Sequence, residues 1–238
     1  MIKQIGRSSP SSQAKIGGVL YLLTILTRMF VEIFVRNRLV VPDDAAATAT
    51  NIMANEPLWR LGFVGDIIAF ASYVALTAIF YELFKLVNRS ICLVAVYFSL
   101  VACAAQAISS LFHLAPLVLL GRTPYLSVFN AEQLQALTLM FLRLRALCYH
   151  NVGLVFFGLY LLLTGYLIFR STFLPRIIGV LMILAGLSYE VFVSPPLALS
   201  LQPYVLFFPG VAQISLTFWL LVMGVNDARW NGRVSAAE

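Results

Sequence analysis

From Ala146 to Phe169 the chain reads ALCYHNVGLVFFGLYLLLTGYLIF, without one Lys, Arg, Asp or Glu, and Arg145 and Arg170 close the run at either end. Coiled as a helix, these 24 residues reach about 36 Å. A hydrocarbon core is about 30 Å thick, so the run is long enough to cross one. Other parts of the chain repeat this plan, which makes the protein a polytopic membrane protein.

Composition agrees with that reading. Of 238 residues, 61% are hydrophobic and 11% charged, with mean hydropathy +0.91; a soluble domain carries about 25% charged residues. The formal charge of +6 does not point to nucleic acid, because no basic run exists and the charges stand between apolar spans. Cys92, Cys103 and Cys148 lack a CxxC spacing and fall at different depths, so they read as small membrane-buried residues. The apolar run from Ile16 is too long for a signal peptide and reads as an uncleaved first span.

Six spans follow: Ile16 to Val35, Leu58 to Leu83, Ile91 to Leu114, Ala146 to Phe169, Ile177 to Phe192, and Leu206 to Val225. Between the first two, Asp43 or Asp44 caps a short Ala-rich surface helix that ends before Pro57. Pro116 and the Gly121–Pro124 turn follow span three, and Gln135, Thr138, Arg145 and Tyr149 recur at helical spacing ahead of span four. Pro195, Pro196 and Pro203 mark a loop, and the tail from Asp227 reads as frayed. The expected organisation is an N-terminal segment 1–15, a six-span bundle 16–226 and a tail 227–238.

Six spans put both termini on one side. With that side inside, the inner cations are Lys3, Arg7, Lys15, Lys85, Arg89, Arg170, Arg176, Arg229 and Arg233, against Arg36, Arg38, Arg60, Arg122, Arg143 and Arg145 outside. The positive-inside bias therefore favours cytoplasmic termini.

Depth along each span separates polar from apolar. Arg28 lies roughly 18 Å and Glu32 roughly 24 Å beyond Ile16, Asp66 roughly 28 Å from Lys85, and Gln106 roughly 25 Å from Arg89. Glu190 and Gln213 lie roughly 21 Å from Arg176 and Asp227, and Tyr149 and His150 near 30 Å from Arg170. All fall past the midplane, whereas the inner half is almost purely apolar. A charge near the bilayer centre costs about 2.5–3.5 kcal/mol on insertion scales and so faces protein or water. An outward-facing polar cavity over an apolar floor is the economical arrangement. Cys103, Gln106, Ser110 and His113 step by three, four and three residues and align as one polar stripe.

Candidate ligand-binding residues are therefore Arg28, Glu32, Arg60, Asp66, Gln106, His113, Tyr149, His150, Glu190 and Gln213. Arg28 or Arg60 would meet an anionic group, and Asp66 or Glu190 a cation or hydroxyl. Arg28 and Glu32, four residues apart on one helix face, can instead neutralise each other. His113 and His150 lack a distinctive ligand spacing, and no nucleophile elbow, Walker loop, dinucleotide fingerprint or HExxH occurs. No metal or cofactor is expected, and no catalytic residue is assigned.

The segments YLLTILT, VVPDDAAATATNI, RLGFVGDIIA, KLVNRS, QLQALTLMFLRL, GLVFFGLYLLLTGYLIFRSTFLPRIIGVLM and SLTFWLLVMGVN resemble the bacterial membrane-protein family filed as domain of unknown function 4386. The resemblance runs nearly the whole chain and implies a multi-pass protein of the bacterial inner (cytoplasmic) membrane, with no activity attached. Arg60, Asp66, Asn88 and Arg89 match the family pattern. Arg28 and Asp43 stand where Gly is usual, Tyr160 where His is usual and Gln213 where Glu is usual, which implies a departure wherever that His and Glu act.

The fold expected is all-α, a transmembrane bundle of about six spans with short surface helices on the outer side. The expected function is binding of a small molecule or lipid headgroup in the outer cavity, with the lipid bilayer as a further partner and no nucleic acid. A secondary transporter, a membrane enzyme acting on a lipid-like substrate and a non-catalytic assembly partner are the alternatives.

Overall fold

The computed structural model describes residues 9–121 and 123–235; Lys3, Arg7 and Arg122 lie outside them. The chain is an all-helical membrane bundle. Its helices are α1 Pro10–Leu39, α2 Ala45–Ala54, α3 Glu56–Phe84, α4 Arg89–Leu119, α5 Ala131–Arg170, α6 Arg176–Val193, α7 Pro195–Val205, α8 Phe207–Val222 and α9 Asp227–Ser235. Among the described residues, α1, α3, α4, α5 and α6 are long and apolar enough to cross a membrane, and α8 is a shorter apolar helix. Five of the expected spans correspond to these long helices, and the sixth to the shorter α8.

Local chemistry sets the ends. Asp44, rather than Asp43, caps α2 by accepting from Ala47 N at 2.8 Å. Asn88 caps α4 through Ile91 N, and Asn130 with Gln133 forms a capping box at the start of α5. Three boundaries differ from expectation. Helix α4 runs through Pro116 to Leu119 instead of ending near Leu114. The Pro195–Pro196 segment starts a helix instead of a loop, because prolines in a first turn remove no needed N–H. The tail is not frayed: α9 docks on the core, with Trp230 Nε1 donating to Leu83 O at 3.2 Å and Arg229 donating to Thr172 O at 3.1 Å.

Asp227 Oδ1 accepts from Ser11 N at 2.8 Å, so both ends of the described chain meet at one end of the bundle. We call that end proximal and the opposite end distal. The proximal core is aromatic and aliphatic, built from Tyr21, Leu76, Phe80, Leu83, Phe84, Leu161, Leu167 and Met182. Helices α5 and α6 approach so closely that a β-carbon on Gly165 would stand 2.8 Å from Gly179 O, and one on Gly179 would stand 2.7 Å from Phe169 N. In lipid, where tails are as apolar as leucine, small residues give a close backbone seam that larger ones forbid.

Two helices change their winding distally. Val31–Arg36 in α1 and Cys148–Leu154 in α5 are π-helical. A π turn holds an extra residue and often marks a functional site. Both turns face the part of the bundle where the polar side chains collect.

Candidate functional site

The first polar group is organised on Arg36, which is only 7% exposed. Its Nη2 donates to Asp66 in a short ion pair, and its Nη1 donates to Glu32 Oε2 at 3.2 Å. Asp66, on α3, also accepts from Ser110 Oγ on α4 at 3.2 Å. Glu32 therefore pairs with Arg36 and not with Arg28, as the i, i+4 spacing had allowed. Glu32 and Arg36 both belong to the π turn Val31–Arg36, and the Glu32 side chain is 54% exposed.

Arg145 reaches the same region from α5. It is 9% exposed, its Nε has no hydrogen-bond partner, and no carboxylate pairs with it among the described residues. Thr138 and Arg145 turn the polar stripe of α5 toward the protein. Arg36, Arg145, Glu32, His150 and Trp59 line a cavity of about 320 Å³, at whose lip stand the exposed, ion-paired Asp43 and Arg143. That volume lies at the small end of ligand pockets.

The second polar group is organised on Arg28. Its guanidinium donates to Tyr149 Oη at 2.6 Å and, in a short bond, to Gln106 Oε1. Gly153 permits this approach of α4 to α5, since a β-carbon there would lie 2.9 Å from Gln106 Cγ. Arg28 also lies over the rings of Phe70 and Tyr149, 5.2 Å from each centroid, and no carboxylate pairs with it among the described residues. A cavity of about 170 Å³ lies against it, lined by Tyr73, Cys103, Gln106, Tyr149, Tyr189 and Gln213 together with Thr24, Ile25, Met29, Leu154 and Phe157. Gln213 Nε2 donates to Tyr189 Oη at 3.5 Å. The Tyr149 ring has Arg145 5.8 Å from its centroid as well, so one aromatic ring touches an arginine from each cavity.

The structure thus distributes the expected site residues over two cavities where one vestibule was expected. Arg28, Gln106, Tyr149 and Gln213 share the smaller, and Glu32 and His150 the larger. Asp66 and His113 are sealed between helices at 3% and 0% exposure. Arg60 is exposed and paired with Glu56, and Glu190 lines neither cavity, its Oε1 buried without a partner beside Gly158. The stripe Cys103, Gln106, Ser110 and His113 is buried along its length. Arg36 and Arg145 were missed because both stood at span borders, where basic residues usually meet water. The helical recurrence of Thr138, Arg145 and Tyr149 was the available signal for Arg145.

A distal half rich in paired ions and amides, over an apolar proximal half, inside a bundle of lipid-length helices, defines an integral, multi-pass helical membrane protein. Residues 16–224 match the model of the Domain of unknown function (DUF4386), and the chain belongs to that family. It is also similar to an uncharacterized protein of Archaeoglobus fulgidus, 29% identical over 79 residues that cover 31% of this chain and 45% of the relative. The matched part is thus less than half of that relative's length. No solved structure matches the chain.

Proposed function

We propose that the larger cavity binds the anionic group of a small molecule or lipid headgroup, at the outer face of a bacterial cytoplasmic membrane. Arg145 carries this reading. A guanidinium has five N–H donors, and burying it without acceptors is costly unless a bound group supplies them. Arg36, which also lines the cavity, already has its charge met by Asp66 and Glu32. Phosphate or carboxylate oxygens would match the Arg145 fork. His150, with Nδ1 donating to Ala146 O at 2.9 Å, leaves its other ring nitrogen for the same ligand.

The exposed Asp43–Arg143 pair at the lip gives an entrance from the distal surface. Transport receives less support: from Tyr73 in the wall of the smaller cavity, edge-to-face ring contacts continue through Tyr21, Phe80 and Phe84 and close the bundle.

Native mass spectrometry of protein extracted with its lipids tests the proposal. A bound anionic lipid or metabolite is expected on the wild type and is expected to be lost from Arg145→Gln. An unliganded wild type, or equal occupancy in the variant, overturns it.

A further inference from the structure

We infer that the smaller cavity is a second, separate site, for a small monocarboxylate with a short apolar body. Arg28 brings a full positive charge to the inside of the bundle, and what touches it is neutral: the Tyr149 hydroxyl, the Gln106 amide oxygen and two aromatic faces. Neutral acceptors satisfy some of its N–H groups but leave its charge uncompensated. An anion seated in the adjoining 170 Å³ would supply the compensation.

The cavity's own chemistry selects the anion. Its volume is about six waters' share of the liquid, too little for a lipid or a nucleotide. Arg28 is the one cation among its lining residues, so a singly charged planar carboxylate suits it better than a phosphate dianion. Tyr73, 4% exposed, adds an aromatic face to the same wall. Phe157 faces the apolar body. Gln213 lines the same cavity with a neutral amide, so no carboxylate there competes with a ligand for the guanidinium.

The site does not depend on the headgroup reading of the larger cavity. The test uses the full chain purified in detergent, with benzoate as probe, benzamide as its neutral isostere and inorganic phosphate as the divalent comparison. Calorimetry and the melting temperature are the readouts. Benzoate is expected to bind and raise the melting temperature, while benzamide and phosphate leave it unchanged. Arg28→Gln is expected to weaken benzoate at least about tenfold, as the loss of a charge-assisted hydrogen bond does. Cys103→Leu, which fills the cavity without touching a charge, is expected to abolish binding, and it carries the test if Arg28→Gln does not fold. Arg145→Gln is expected to keep benzoate while losing the headgroup ligand, so the two sites fail independently. No benzoate binding by the wild type, equal response to benzamide, or undiminished binding in Cys103→Leu overturns the inference.

Discussion

Trp59 and His113 hold each other's backbone: the indole Nε1 donates to His113 O at 2.8 Å, the imidazole Nε2 donates to Trp59 O at 2.9 Å, and the two rings stack with centroids 3.9 Å apart. The reciprocal bonds fix α3 against α4 at the level of the larger cavity, with both residues fully buried. His113 is therefore a fastening residue here, although its place on a polar stripe also suits a ligand contact. Trp59→Phe keeps an aromatic face and leaves the His113 carbonyl without its donor. A loss of about 1–3 kcal/mol is expected. Thermal unfolding in detergent checks it, and an unchanged transition would show that the carbonyl finds another donor.

The Arg36–Asp66 pair makes a sharper prediction, because its two carboxylate partners differ in exposure. Asp66→Asn leaves a buried arginine short of its main counter-charge, at a cost of about 3–5 kcal/mol. Glu32→Gln removes a partner that is 54% exposed at its side chain, so about 0–1 kcal/mol is expected. Replacing both buried partners, as Arg36→Met with Asp66→Leu, should recover most of the loss seen in Asp66→Asn. Melting curves of the four chains separate these outcomes. Equal losses for Asp66→Asn and Glu32→Gln would contradict the assigned geometry.

The spans were legible because crossing a bilayer demands length and apolarity, and both can be summed along the chain. The Cys103 to His113 stripe was legible for a related reason: a regular helix keeps period 3.6, so steps of three and four stay on one face. The alternative pairing of Arg28 with Glu32 falls at the point where that regularity fails. Nothing in VEIFVR announces a π turn, and spacing alone does not choose between Arg28 and Arg36, each four residues from Glu32. Arg36 and Arg145 look like interface residues by position, and only packing shows that neighbouring helices cover them. The division into two cavities depends on helix rotation, which no single span encodes. Trp230 was the overlooked clue in the tail, since an isolated tryptophan in a polar segment has a large apolar face to bury.

Gly165 supplies a prediction about the α5–α6 seam. An added methyl would meet Gly179 O and Ile183 N at 2.8 Å, both main-chain atoms that can yield only by moving a helix. Gly165→Ala is expected to lower the yield of folded protein and its melting temperature, and Gly165→Leu to prevent assembly of the bundle. Gly210 is the control. No atom lies within 4 Å of the corresponding β-carbon, and Gly210 is in the first turn of α8. Gly210→Ala should be neutral or stabilising by about 0.5–1 kcal/mol, through the entropy an alanine does not have to lose. Gel filtration of the variants side by side would reveal the contrast, and equal tolerance at both positions would contradict the close seam.

Asp43 tests the lip of the larger cavity. Its φ of 62° makes it, among the described non-glycine residues, the one in left-handed backbone, a conformation that costs an L residue roughly 1–2 kcal/mol. A glycine adopts it freely, though it also loses more entropy on folding. Asp43→Gly should therefore leave stability near or slightly above wild type, while Asp43→Ala keeps the β-carbon, drops the polar side chain and should be less stable than either. The same two changes remove the carboxylate that holds exposed Arg143. The freed cation would raise the local potential at the entrance and speed capture of an anionic ligand, an effect that salt should suppress because the group is exposed. Measured association rates at low and high salt decide the matter. If the two variants share one melting temperature, strain at Asp43 is not what distinguishes them; if their rates match wild type at low salt, Arg143 does not guard the entrance.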